Sequence, residues 1–256
     1  MFKNAFLVLL LAHILGDYYL QSENFATQKN ASLSGLIKHC IIYGVTCFIV
    51  IIPVFDKSIL MGISLLVASH FIIDLLKYFY IKKVSKNNEL RPEKERIVYI
   101  TDQLLHLFTI AIIAFVLATF NYVISVLPCV DLICGIIGIT ISLAFSWLLV
   151  LLLIWKPTNV TIKKLIYLYK PEDKKGVNNE NRDDGIKTGG FIGLLERLII
   201  LVLLSINQYS AIGLVLTAKS IARYDKISKD QAFAEYYLLG TLLSTIFVVI
   251  TYLIVF

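Results

Sequence analysis

Apolar residues in this chain come in long blocks parted by short polar stretches. That spacing belongs to membrane helices rather than to the apolar–polar alternation of half-buried strands. Eight spans are expected, over roughly 4–20, 36–55, 59–80, 98–120, 131–155, 190–206, 208–222 and 235–256. The seventh is short for a full crossing and reads as tilted, re-entrant or half buried. The first opens like a signal peptide, with Lys3 followed by FLVLLLA. No small-x-small cleavage site follows, however, and His13 and Asp17 lie inside it, so an uncleaved first helix is expected. The expected fold class is an all-α, polytopic transmembrane helical bundle of about eight spans. Residues 1–155 form a five-helix half, 156–189 a cytoplasmic linker with an interfacial segment (IKKLIYLYK), and 190–256 a three-helix half.

Composition agrees: 58% of the 256 residues are hydrophobic, too many for a water-soluble domain. The formal charge of +6 calls for no nucleic acid, because the basic residues carry a topology signal instead. Of the 24 lysines and arginines, 20 fall in the loops 21–38, 81–97, 156–189 and 218–234. With eight spans those loops share one side, which the positive-inside rule makes cytoplasmic, leaving both termini outside. The four cysteines, Cys40, Cys47, Cys129 and Cys134, contain no CxxC pair. Cys129 and Cys134 are read either as a disulfide or, preferably, as small apolar fillers.

The candidate chemistry lies in the polar residues that interrupt the apolar blocks. His13 precedes Asp17 by four residues, His70 precedes Asp74 by four, and Asp102 precedes His106 by four; His39 opens the second span. A spacing of four puts two side chains one turn apart on one helix face. Under the expected topology all seven residues fall in one layer at the cytoplasmic edge of the bilayer. Ionisable groups inside a membrane are costly and mark functional sites. Imidazole and carboxylate together are the ligand set of Zn²⁺, with Mn²⁺ or Fe²⁺ as alternatives, so a mononuclear or dinuclear divalent-metal centre is expected. Asp102 is a candidate catalytic group as well as a ligand. Gln21 and Gln103 flank the pairs as candidate substrate contacts.

In the second half, Lys219 and Arg223 are again four apart, and Glu196 and Arg197 sit in the apolar run FIGLLERLIILVLL. Lys219, Arg223 and Arg197 are candidates for holding a phosphate or lipid headgroup, and Glu196 for pairing with them or acting as a general base.

The ordered series LLLAHILGDYYLQ, KHCIIYG, SHFIIDLLK and TDQLLHL, followed by IGLLERLIILVLL, AIGLVLTAKSIARY and AEYYLLGTLLS, resembles a bacterial inner-membrane family described as domain of unknown function 3307. The similarity runs over almost the whole chain, and the family name implies no activity. The His-and-Asp pattern is also similar to that of membrane-bound metal-dependent hydrolases and, more distantly, of zinc phospholipases C. That likeness implies a metal-dependent hydrolase acting on a phosphoester, and the headgroup depth expected for the site points to a lipid or lipid-linked phosphate as substrate. Two rival readings use the same residues: a cation- or proton-coupled transporter, and a non-catalytic scaffold whose buried ion pairs fix helix packing.

Overall fold

The computed structural model describes residues 2–21, 29, 32–54, 56–85, 90–120, 126–171 and 180–256, with side chains in the last stretch from residue 189 onward. Among the described residues the chain is all helical. Five stretches among the described residues are long and apolar enough to cross a membrane: Leu33–Val50, Lys57–Val84, Pro92–Thr119, Ile141–Tyr169 and Gln231–Val255. These apolar helices mark the chain as a membrane protein. Its surface agrees, because large apolar side chains such as Leu76, Phe108, Phe115 and Ile136 are exposed while histidines and aspartates are buried.

The first compact unit covers Met1–Leu149. It begins with α1 (Phe2–Ile14), which runs into a single π-helical turn over Leu15–Tyr19. Then come α2 (Leu33–Val50), α3 (Lys57–Val84) and α4 (Pro92–Thr119), each with a sequence-encoded start. Ser32 caps α2 by accepting from the Gly35 amide, Asp56 caps α3, and Pro92 occupies the first turn of α4. The four helices form a bundle in which α1 packs against α2 and α4, and α3 against α2 and α4. α1 is buried on every face over residues 7–14, whereas the others each bury one stripe: Leu36, His39, Tyr43 and Cys47 on α2; Leu66, His70, Asp74 and Ile81 on α3; Asp102, His106, Ile110 and Leu117 on α4. The 3.6-residue period therefore sends the polar pairs inward with the core leucines and isoleucines.

The expected span 131–155 is two helices, α5 (Pro128–Ile137) and α6 (Ile141–Ile154). Gly138 ends α5 in the left-handed conformation, with φ 77°, and its amide returns to the Cys134 carbonyl. All four cysteines are free thiols.

The second unit, Val150–Phe256, contains α7 (Lys156–Ile166), α8 (Glu180–Ser205), α9 (Tyr209–Ile221), α10 (Tyr224–Lys229) and α11 (Gln231–Val255). The region 156–189, expected as a linker, thus carries all of α7 and the start of α8. The segment expected at 208–222 is the 13-residue α9, about 20 Å long at 1.5 Å per residue. That is short of a bilayer's apolar thickness of about 30 Å.

Candidate metal centre

The first unit brings all four histidines and three of its aspartates into one buried cluster. His13, His39, His70 and His106 are each no more than 2% exposed, and Asp74 and Asp102 are buried with them. Asp17 joins from the π turn. Closure of that turn through the Leu20 amide to the Leu15 carbonyl makes it wider than an α turn and rotates Asp17 off the stripe of His13. The two residues consequently meet different neighbours. His13 Nδ1 is 3.2 Å from the Tyr43 hydroxyl, whereas Asp17 Oδ1 is 3.3 Å from Lys29 Nζ and 3.4 Å from His39 Nε2. The other two pairs meet within their own helices, His70 Nε2 to Asp74 Oδ2 at 3.2 Å and His106 Nε2 to Asp102 Oδ1 at 3.6 Å.

Three groups sequence reasoning missed complete the cluster. Lys29 places its ammonium 2.7 Å from Asp74 Oδ2 and 3.1 Å from His39 Nε2. Burial alone would lower the pKa of Lys29, but the carboxylates of Asp17 and Asp74 outweigh it and hold the pKa above the ordinary lysine value. The side chain is therefore a cation under all ordinary conditions. Lys77 donates to Asp102 Oδ2 at 2.7 Å. Tyr43 stacks on His70 with ring centroids 3.7 Å apart and planes 4° from parallel. It can approach because residue 16 is glycine: a Cβ there would lie 2.6 Å from Tyr43 Cδ2.

Most members have one polar atom held by the protein and another left free. Asp102 Oδ2 takes Lys77 and the Gln103 amide, while Oδ1 has no hydrogen-bond partner among the described residues. Asp74 Oδ2 forms an ion pair with Lys29 at 2.7 Å, and neither Asp74 oxygen nor His70 Nδ1 has a hydrogen-bond partner among the described residues. His13 Nδ1 meets Tyr43, and its Nε2 has none; the same is true of His106 Nε2. His106 Nε2 lies 3.6 Å from Asp102 Oδ1 and 3.9 Å from Asp74 Oδ1, so three of these atoms face one another at distances longer than a hydrogen bond. Ligands with one atom anchored and one free are the arrangement by which proteins orient metal-binding groups. Three triads each offer ligand atoms within 4.8 Å of one another: His13, His70 and His106; Asp17, His39 and His70; and Asp74, Asp102 and His106. Buried His and Asp groups here can hold a metal ion.

Residues 5–134 match the model of a family described as Protein of unknown function (DUF3307). The chain belongs to that family. The DUF3307 match contains every residue of the cluster and stops before the second unit. No curated protein and no solved structure matches the chain.

The remaining candidate residues are placed as follows. Gln103 belongs to the cluster: it accepts from the Tyr18 hydroxyl at 2.8 Å and reaches Asp17 Oδ2 and Asp102 Oδ2 with its amide nitrogen. Gln21 lies half buried just beyond the π turn. Glu196, Arg197, Lys219 and Arg223 belong to the second unit. Glu196 pairs with Lys219, which also donates to Thr241 Oγ1. The buried Arg197 guanidinium donates to the Ile154 carbonyl, Asn159 Oδ1 and Ser244 Oγ, tying α6, α7 and α11 to α8. Lys219 and Arg223 both lie over the Tyr237 ring, at 5.4 and 6.0 Å.

Proposed function

We propose that this protein is a membrane-embedded, divalent-metal-dependent hydrolase that acts on a lipid or lipid-linked phosphoester. The observation that carries the reading is the convergence of buried imidazole and carboxylate atoms that lack a hydrogen-bond partner among the described residues, His13 Nε2, Asp74 Oδ1, Asp102 Oδ1 and His106 Nε2 among them. Nitrogen and carboxylate oxygen without sulfur suit Zn²⁺, Mn²⁺ or Fe²⁺. His106 would hold the ion together with Asp74, 3.9 Å away, and with His13, whose ring centroid lies 5.0 Å from that of His106. Bound there, it supplies a Lewis acid for a phosphoryl oxygen and lowers the pKa of water. Asp102, fixed by Lys77 and Gln103, takes the proton of the attacking water at Oδ1 and returns it to the leaving alkoxide as the P–O bond breaks.

A lipid substrate is supported by an open apolar groove lined by Ile37, Cys40, Ile41, Phe48 and Phe71, in which Cys40 and Phe71 directly follow the cluster residues His39 and His70. In this reading the chain crosses a bacterial cytoplasmic membrane about eight times with both termini outside, and the centre opens toward the basic cytoplasmic loops. In the second unit Lys219 and Arg223 take an anionic headgroup, and Glu196 orients them.

The test is phosphate release from a panel of phosphatidic acid, phosphatidylglycerol phosphate and polyprenyl diphosphate by the full chain in nanodiscs. Turnover should need Zn²⁺ or Mn²⁺, stop with chelator, and be absent in His106→Ala and Asp102→Asn. Metal-loaded protein that turns over none of the panel would overturn it. A second reading, a non-catalytic scaffold, is favoured by the Lys29–Asp74 and Lys77–Asp102 pairs, which already neutralise two carboxylates. It predicts melting temperatures that added metal and chelator leave unchanged.

A further inference from the structure

Asp74 faces two directions. Its Oδ1 lies 3.9 Å from His106 Nε2, in the set assigned above, while its Oδ2 belongs to a second group with Asp17 Oδ1, His39 Nε2 and His70 Nε2. The edges of that second group are 3.4 Å from Asp17 to His39, 3.5 Å from His39 to Asp74, 3.1 Å from His39 to His70 and 3.2 Å from His70 to Asp74. A tetrahedral ion with bonds of about 2.0–2.2 Å has ligand–ligand edges about 1.63 times longer, roughly 3.3–3.6 Å. Four side chains from two helices and a π turn therefore stand with four of their six mutual distances close to the edges of a coordination shell. These two imidazole nitrogens stand 3.1 Å apart, each with a carboxylate oxygen against it. A shared cation accounts for them.

The cation that now faces three of these four atoms is the Lys29 ammonium, at 3.3 Å from Asp17, 3.1 Å from His39 and 2.7 Å from Asp74. An ammonium that close and a divalent ion bonded to the same atoms would bring like charges into one space, so each excludes the other. We propose that Asp17, His39, His70 and Asp74 form a second divalent-cation position, bridged to the first through the two oxygens of Asp74. Lys29 fills that position until an ion displaces it. The inference rests on the reading of the first ion in the preceding section and extends it to a two-metal centre, whose paired ions, about 3.5–4 Å apart, suit in-line displacement at phosphorus.

The experiment is equilibrium uptake of Zn²⁺ alone by chelator-stripped, full-length protein in detergent, with bound ion counted at graded free Zn²⁺. Wild type should take up two ions in separated steps, the second weaker. Lys29→Met should tighten the weaker step by about ten-fold or more, the scale on which groups around a metal tune affinity. Lys29→Arg, which keeps the charge, should behave as wild type, and Lys29→Gln repeats the test should the methionine variant fail to fold. His39→Ala should remove the weaker step alone and His106→Ala the tighter one. Lys29→Met with unaltered steps, or His39→Ala retaining both ions, overturns the second position. If one tight ion binds and ignores both substitutions, the proposed function stands and this inference falls. If folded protein binds none, both fall.

Discussion

Asp74→Asn removes the carboxylate 2.7 Å from Lys29 Nζ and leaves Asp17, at 3.3 Å, as the remaining acidic partner of a buried ammonium. Stranding one member of a buried pair costs about 3–5 kcal/mol. With Asp17 still in place, we expect the low end, about 2–3 kcal/mol, or a melting temperature roughly 4–12 °C lower for a chain of this size. Lys29→Met should cost a similar amount by stranding two carboxylates. The double variant removes both charges, so its loss should fall short of the sum by about 1.5 kcal/mol or more. The assay is a double-mutant cycle of thermal unfolding in detergent with excess chelator, so that bound metal plays no part. Strict additivity, within about 0.5 kcal/mol, would mean that Lys29 and Asp74 do not interact, and the assignment of Lys29 as the resident cation would fail.

Gly16→Ala places a Cβ 2.6 Å from Tyr43 Cδ2, so Tyr43 must leave His70; overpacking of this kind costs about 1–3 kcal/mol, and metal retention should fall with it. Gly16→Ala melting like wild type would refute the close packing. Tyr43→Phe keeps the stacked ring and removes only the hydroxyl on His13 Nδ1; metal affinity should drop about 10–100-fold while the fold survives, read by Zn²⁺ competition against a chelating dye. Arg197→Met should lower the melting temperature sharply, because the Ile154 carbonyl and Asn159 lose their donor, yet leave the metal content untouched. Arg197→Lys should rescue little, since an ammonium cannot reproduce the guanidinium fork. If Arg197→Met melts as wild type, the clamp assignment is wrong.

Much of the centre was legible because its residues break a rule. His70 and Asp74 interrupt an apolar helix at the one spacing that keeps both on the buried stripe, and Asp102 and His106 repeat the device on the next helix. Lys29 was not legible: in a basic loop a lysine reads as a topology signal, and nothing local says that it turns inward. Lys77 was hidden in the same way at the end of its span. Tyr43 looks like any aromatic in an apolar helix, and its part follows only from the glycine opposite it. The π turn left no sequence mark, so His13 and Asp17 read as one pair although they serve different neighbours. Helix breaks were blurred too, because Gly138 sits in an unbroken apolar run that hydropathy alone joins into one span.

X-ray absorption at the zinc edge of metal-loaded, purified protein tests the central claim most directly. The account predicts nitrogen and oxygen neighbours at about 2.0–2.2 Å with no sulfur, and loss of that shell in His106→Ala. Sulfur neighbours at about 2.3 Å, which would assign the zinc to the free cysteines, or a fully hydrated ion, would contradict it.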